Sequence, residues 1–207
     1  MLNRAMMMTI GGIAVLVAGC APKQQAAAPE PEATPEVEVV EEAEPLMAVA
    51  ALQPAADVDV SGTVTFTETA DGVEVVADIA RVSPGPHGLH LHELGDCSAA
   101  DFTSAGGHFN PTDAPHGAPT DEVRHAGDFG NIEIGEDGTG QLKLFTDMLT
   151  VSDSPDSVVG RAVILHEKAD DLVSQPTGAA GGRIACGVVM LAGADVVEEI
   201  AVEESED

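Results

Sequence analysis

Seven histidines stand in this chain of 207 residues, and all of them lie between positions 87 and 166. The densest stretch is Gly88-Leu89-His90-Leu91-His92-Glu93, an alternating run with two histidines two apart. Strand side chains alternate between faces, so His90 and His92 share one face and aim two imidazoles at one point. Imidazole nitrogen suits borderline transition metals such as copper and zinc. His87 lies just upstream, and His108, His116, His125 and His166 follow.

The segments around these histidines read as strands. Ala48 to Leu52, Val58 to Glu68, Val73 to Val82, Gly88 to Glu93, Ile132 to Ile134, Thr139 to Thr150, Val158 to Glu167 and Arg183 to Leu191 are short apolar runs, separated by turn residues. Ala70-Asp71-Gly72 and Glu136-Asp137-Gly138 are hairpin signals. With no Trp, no Tyr and five Phe, the core must be built from Val, Ile, Leu and Ala. Two Gly-, Pro- and Asp-rich segments, 94 to 130 and 168 to 182, interrupt the strands. Loops of that length in a compact domain are functional or held down, and here the histidines and a cysteine supply anchors.

The ends differ from the middle. Residues 1–19 read as an export signal: a basic start at Met1 to Arg4, then a short apolar run from Thr9 to Ala18. Val17-Ala18-Gly19-Cys20 resembles the bacterial lipobox, which implies lipid on Cys20 and a membrane anchor. Residues 20–45 are rich in Ala, Pro, Glu and Gln and are expected to form a disordered linker. The domain is expected over 46–192, with an acidic C-terminal tail over 193–207. A formal charge of −28 argues against nucleic acid as a partner.

Six motifs in order then carry a family resemblance. They are Gly85-Pro86-His87-Gly88-Leu89-His90-Leu91-His92-Glu93, Ser104-Ala105-Gly106-Gly107-His108-Phe109-Asn110-Pro111, His116-Gly117-Ala118-Pro119, Arg124-His125-Ala126-Gly127-Asp128, His166-Glu167-Lys168-Ala169-Asp170-Asp171 and Gly182-Arg183-Ile184-Ala185-Cys186-Gly187. Together they resemble the copper,zinc superoxide dismutases, over residues 48 to 191. The resemblance implies an all-β fold: an eight-stranded antiparallel Greek-key barrel or flattened sandwich with two long functional loops.

It also implies a site. His90, His92, His108 and His166 form a copper set, since four imidazoles favour a tetragonal copper(II) site. His108, His116, His125 and Asp128 form a closed tetrahedral zinc set. His108 belongs to both, as an imidazolate bridge. Arg183 would guide the superoxide anion, Asp170 would link a copper histidine to a zinc histidine, and His87 would support the strand from outside the coordination shell. Cys97 and Cys186 would pair in an oxidising compartment, leaving Cys20 for lipid.

The implied activity is dismutation of superoxide to oxygen and hydrogen peroxide, an antioxidant oxidoreductase of the periplasm or outer cell surface. A non-enzymatic copper-binding or copper-delivery lipoprotein of the envelope is the alternative, and monomer and homodimer both stay open. One departure stands out. Between Asp57 and Ala192 there are 22 acids and 6 bases, a formal charge of −16, so the basic funnel expected to steer an anion is depleted.

Overall fold

The computed structural model describes residues 45–193. The expected export signal, Cys20, nearly all of the linker and nearly all of the acidic tail lie outside them. Among the described residues, no helix is long and apolar enough to cross a membrane.

The strands are β1 (Met47–Pro54), β2 (Ser61–Thr69), β3 (Gly72–Ala80), β4 (Gly85–His92), β5 (Asp128–Ile134), β6 (Thr139–Thr146), β7 (Ala162–His166), β8 (Arg183–Val188) and the two-residue β9 (Met190–Leu191). All are paired antiparallel, in the order β5-β4-β7-β8-β1-β2-β3-β6, with β9 on β1. The chain crosses from β3 to β4 and again from β6 to β7. A hairpin turn joins the two ends of the path: Gly135 N–H donates to Thr139 O at 2.8 Å. The result is the expected all-β, nearly closed Greek-key barrel of eight principal strands.

Burial follows strand parity on one side of the barrel. In β3, Val73, Val75, Ala77 and Ile79 point into the core, and the residues between them do not. β4 and β7 differ, because His87 to His92 and Ala162 to His166 are buried without a break. Leu89, Leu91, Val163 and Leu165 join the main core. The other face of β7 lies under the long loop after β4, where Phe102 and Ala105 pack on Ala162, Ile164 and Cys186. The face that carries His90 and His92 is therefore an internal layer between barrel and loops.

The strand expected over Ile132–Ile134 starts earlier, at Asp128, and the one expected from Val58 starts at Ser61; three further differences bear on the core. The run expected over Thr139–Thr150 stops at Thr146, and the one expected from Val158 starts at Ala162. Leu149, Val151 and Val158 are nevertheless core residues, because the intervening loop folds them inward. Apolarity reported burial there, and the ladder did not follow. Arg183–Leu191 divides at Val189, which is buried and exchanges backbone bonds with Gly160 and Arg161. β9 then pairs with β1 at Ala48↔Leu191.

Candidate metal centre

Side-chain alternation in β4 puts His90 and His92 on one face, with ring centres 6.5 Å apart. β7 pairs beside β4 with His90↔Ile164, so its last residue, His166, comes to the same face. His108 arrives from the loop: an isolated bridge joins it to His92, and Glu93 N–H donates to Gly107 O at 3.0 Å. The ligand atoms of His90, His92, His108 and His166 all lie within 4.8 Å of one another, and all four residues are buried. His90 Nδ1, His92 Nε2, His108 Nε2 and His166 Nε2 are buried without a hydrogen-bond partner.

Buried polar atoms are almost always partnered, so four orphans at one point describe a place for a cation. The opposite nitrogens are all engaged. His90 Nε2 meets Asp170 Oδ2 at 2.8 Å, His92 Nδ1 meets Gly106 O at 3.0 Å and His166 Nδ1 meets Gly181 O at 3.3 Å. These contacts fix which nitrogen of each ring faces the centre.

A second quartet gathers on Asp128, the first residue of β5. His108 Nδ1, His116 Nδ1 and His125 Nδ1 stand 2.8, 3.0 and 3.2 Å from Asp128 Oδ1. Asp128 Oδ2 is turned away, accepting from Gly117 N–H and His125 N–H at 3.1 and 3.0 Å. Three imidazoles on one carboxylate oxygen are too many for its lone pairs. They suit a tetrahedron around a zinc-sized ion, whose ligand atoms stand about 3.3 Å apart. The donor set fits zinc on this side and copper on the other, and His108 offers Nδ1 to one and Nε2 to the other.

Asp170 ties the two quartets together. Its Oδ2 meets His90 and its Oδ1 meets His116 Nε2 at 3.0 Å, with all three side chains buried. Gly178 makes room for this: a Cβ there would overlap Asp170 Oδ1, and its φ of +65° suits glycine. Asp170→Asn keeps one acceptor oxygen and loses the charge, so retention of both metals is expected to weaken about 10- to 100-fold. A chelator competition measures it, and unchanged retention would refute the link.

Sequence reasoning missed two amides that set these loops. Asn131 accepts from Asp170 N–H at 2.7 Å and donates to Asp170 O at 2.9 Å. Gln175 accepts from His116 N–H at 2.8 Å and donates to His116 O at 2.9 Å. Neither sits in a chemistry-bearing motif; an amide satisfying a distant backbone leaves no spacing signal. His87 lies outside both quartets, its Nδ1 2.9 Å from His166 O and its Nε2 2.9 Å from Ser83 O. Arg183 pairs in register with His166 and donates from Nη1 and Nη2 to Phe102 O and Gly106 O, at 2.5 and 2.7 Å. The Cys97–Cys186 disulfide holds the loop that supplies those two carbonyls to β8.

Burial, reinforced by the neighbouring imidazoles, holds His90 and His92 well below the usual imidazole range. Burial, with repulsion from His108 and Arg183, outweighs the Gly181 hydrogen bond and lowers His166 to about 4. His108 is lowered too, by burial, against Asp128. Burial alone would raise Asp128, but the His108 and Gly117 hydrogen bonds prevail and bring it to about 2. His116 goes the other way, since Asp128 and Asp170 outweigh its burial.

For a lowered imidazole the unfolded chain binds more protons, so its contribution to stability is full above the unfolded value and is lost on acidification. For His166 the window runs from 6.5 down to about 4, and the loss is about 3 kcal/mol at most. His116 opposes this with one group against four. The metal-free protein is therefore expected to have a lower urea midpoint at pH 5 than at pH 7.5. An equal or higher midpoint at pH 5 would contradict neutral burial of these rings.

A family model described as copper/zinc superoxide dismutase (SODC) matches residues 60–189 of this chain. A solved structure described as "Crystal Structure Analysis of the clock protein EA4" is similar, with 42% identity over 72% of this chain and 96% of that chain and a TM-score of 0.65.

Proposed function

Since the chain belongs to the copper/zinc superoxide dismutase family, we propose that it is itself a superoxide dismutase, converting superoxide to oxygen and hydrogen peroxide. The observation that carries the reading is the shared ring: His108 presents an unpartnered buried Nε2 to three other imidazoles and Nδ1 to the Asp128 quartet. His90, His92, His108 and His166 would hold copper, and His108, His116, His125 and Asp128 zinc. Copper bound there supplies one-electron redox chemistry, which oxidises one superoxide and reduces a second.

The chain's own residues do the rest. His108 Nε2 is placed to hold a proton and hand it to the reduced species, while Nδ1 stays fixed on the Asp128 side. Arg183 keeps a permanent positive charge beside His166, held by two carbonyls, and so attracts and orients a small anion. In a domain with few bases this local charge takes the place of long-range steering. Asp170 keeps His90 and His116 in the required tautomers.

The similar solved structure is that of a clock protein, which keeps a non-enzymatic copper-binding or delivery role as the second reading. Metal analysis of the purified protein together with a superoxide-decay assay separates the two. Copper and zinc near one each with rapid decay supports the enzyme; both metals without decay supports delivery.

The proposed location is the periplasm or the outer cell surface, with the protein held to the membrane by lipid on Cys20. The Cys97–Cys186 bond suits an oxidising compartment of that kind. Cys20→Ser is expected to move the protein from the detergent phase to the aqueous phase. Unchanged partitioning would end the anchor proposal.

A further inference from the structure

Arg161 immediately precedes β7 and has an unusual set of partners. Its Nε donates to Ser157 O at 2.6 Å, Nη1 to Glu93 O at 3.2 Å and Nη2 to Pro155 O at 3.0 Å. Its guanidinium carbon lies 3.3 Å from the centre of the Phe109 ring. A half-buried arginine held by two carbonyls of the loop before it, the distant Glu93 carbonyl and an aromatic face is a clamp, since it ties that loop to the segments after β4 and around Phe109.

The places it touches matter more than their number. Glu93 follows His92, Phe109 follows His108, and Arg161 itself starts the run to His166. Three of the four copper-side histidines therefore hang from segments that meet at one guanidinium. His92 and His108 are joined through the backbone by an isolated bridge, and their rings stand edge to face with centres 5.0 Å apart. Gly106 and Gly107 precede His108, and Gly106 has a φ of +75°, so the backbone approaching the ring has no side chains of its own to pack and depends on hydrogen bonds from its neighbours. Glu93 restrains it from both sides: its N–H donates to Gly107 O at 3.0 Å, and its Oε1 accepts from Gly107 N–H at 3.1 Å. Arg161 in turn fixes the Glu93 carbonyl and covers Phe109.

We propose that Arg161 is a positioning residue for the copper-side histidines, setting the separation of His92 and His108 through Glu93 and Phe109. It acts on backbone and ring and reaches none of the orphaned nitrogens. The inference rests on the copper and zinc reading given above. It extends that reading to a residue outside both quartets.

The test uses the full chain with Arg161→Met, which loses the fork and the cation, and Arg161→Lys, which keeps a cation over Phe109 and loses the fork. In the metal-free protein, amide exchange at Gly107 and Phe109 is expected to quicken at least tenfold in Arg161→Met and less in Arg161→Lys. Phe66 and Val75, in the far sheet, should stay unchanged. In the copper-loaded protein, the copper(II) visible band is expected to shift, and copper is expected to pass to a chelator at least tenfold faster at a temperature where the protein is folded. A uniform rise in exchange at all four amides would mean general destabilisation and overturn the proposal, as would unchanged exchange or an unchanged copper(II) band. If the wild type takes up no copper, the functional reading falls and the exchange pattern still decides the clamp.

Discussion

Changing His108 to Ala is expected to lower superoxide decay by about 10²- to 10⁴-fold, the range for loss of a positioned proton carrier, and to weaken copper and zinc retention in the same variant. The reason is geometric. His108 Nδ1 lies 2.8 Å from Asp128 Oδ1, and His108 Nε2 is one of the four orphaned nitrogens of the other quartet. One truncation therefore removes a nitrogen from each set, and with it the proton carrier proposed above. His87 provides the control, being as buried yet engaged only with Ser83 and the His166 carbonyl. Metal content should survive His87→Ala. If His108→Ala lost copper alone and kept all its zinc, the two sets would not share a ring.

Cys97→Ser is expected to cost about 4 to 5 kcal/mol of stability in the chain-entropy account, because the bond closes a loop across a separation of 89 residues. Urea unfolding of the oxidised wild type against the variant measures it; a loss below about 1 kcal/mol would reject that account. Function should suffer in the folded fraction as well. The loop tethered by Cys97 supplies Phe102 O and Gly106 O to Arg183, and Gly106 O also receives His92 Nδ1. Releasing the loop loosens the Arg183 guanidinium and the His92 imidazole together.

Much of this was legible in the chain. His90 and His92 at a spacing of two belong on one face of a strand, and the structure puts them there. Asp-Gly turns marked the β2–β3 and β5–β6 hairpins. The limit of such reading shows at Leu149 and Val158, whose apolar character predicts strand and which fill the core from a loop. Hydrophobic patterning records the free energy of leaving water, and that term is indifferent to whether the backbone forms a ladder.

The sequence by itself determined the all-strand character, the strand face that bears the first two histidines, and the roster of imidazoles available for metal. Those are local quantities, set by side-chain alternation, turn chemistry and ligand type. Only the tertiary structure decided which nitrogen of each ring faces inward, and which helpers hold it so. Asn131 reaches Asp170 across 39 residues, Gln175 reaches His116 across 59 and Arg161 reaches Glu93 across 68. Contacts at such separations exist only once the two loops have folded back over β4 and β7. Their donors and acceptors are ordinary amides, carbonyls and a guanidinium, so no spacing along the chain announces them.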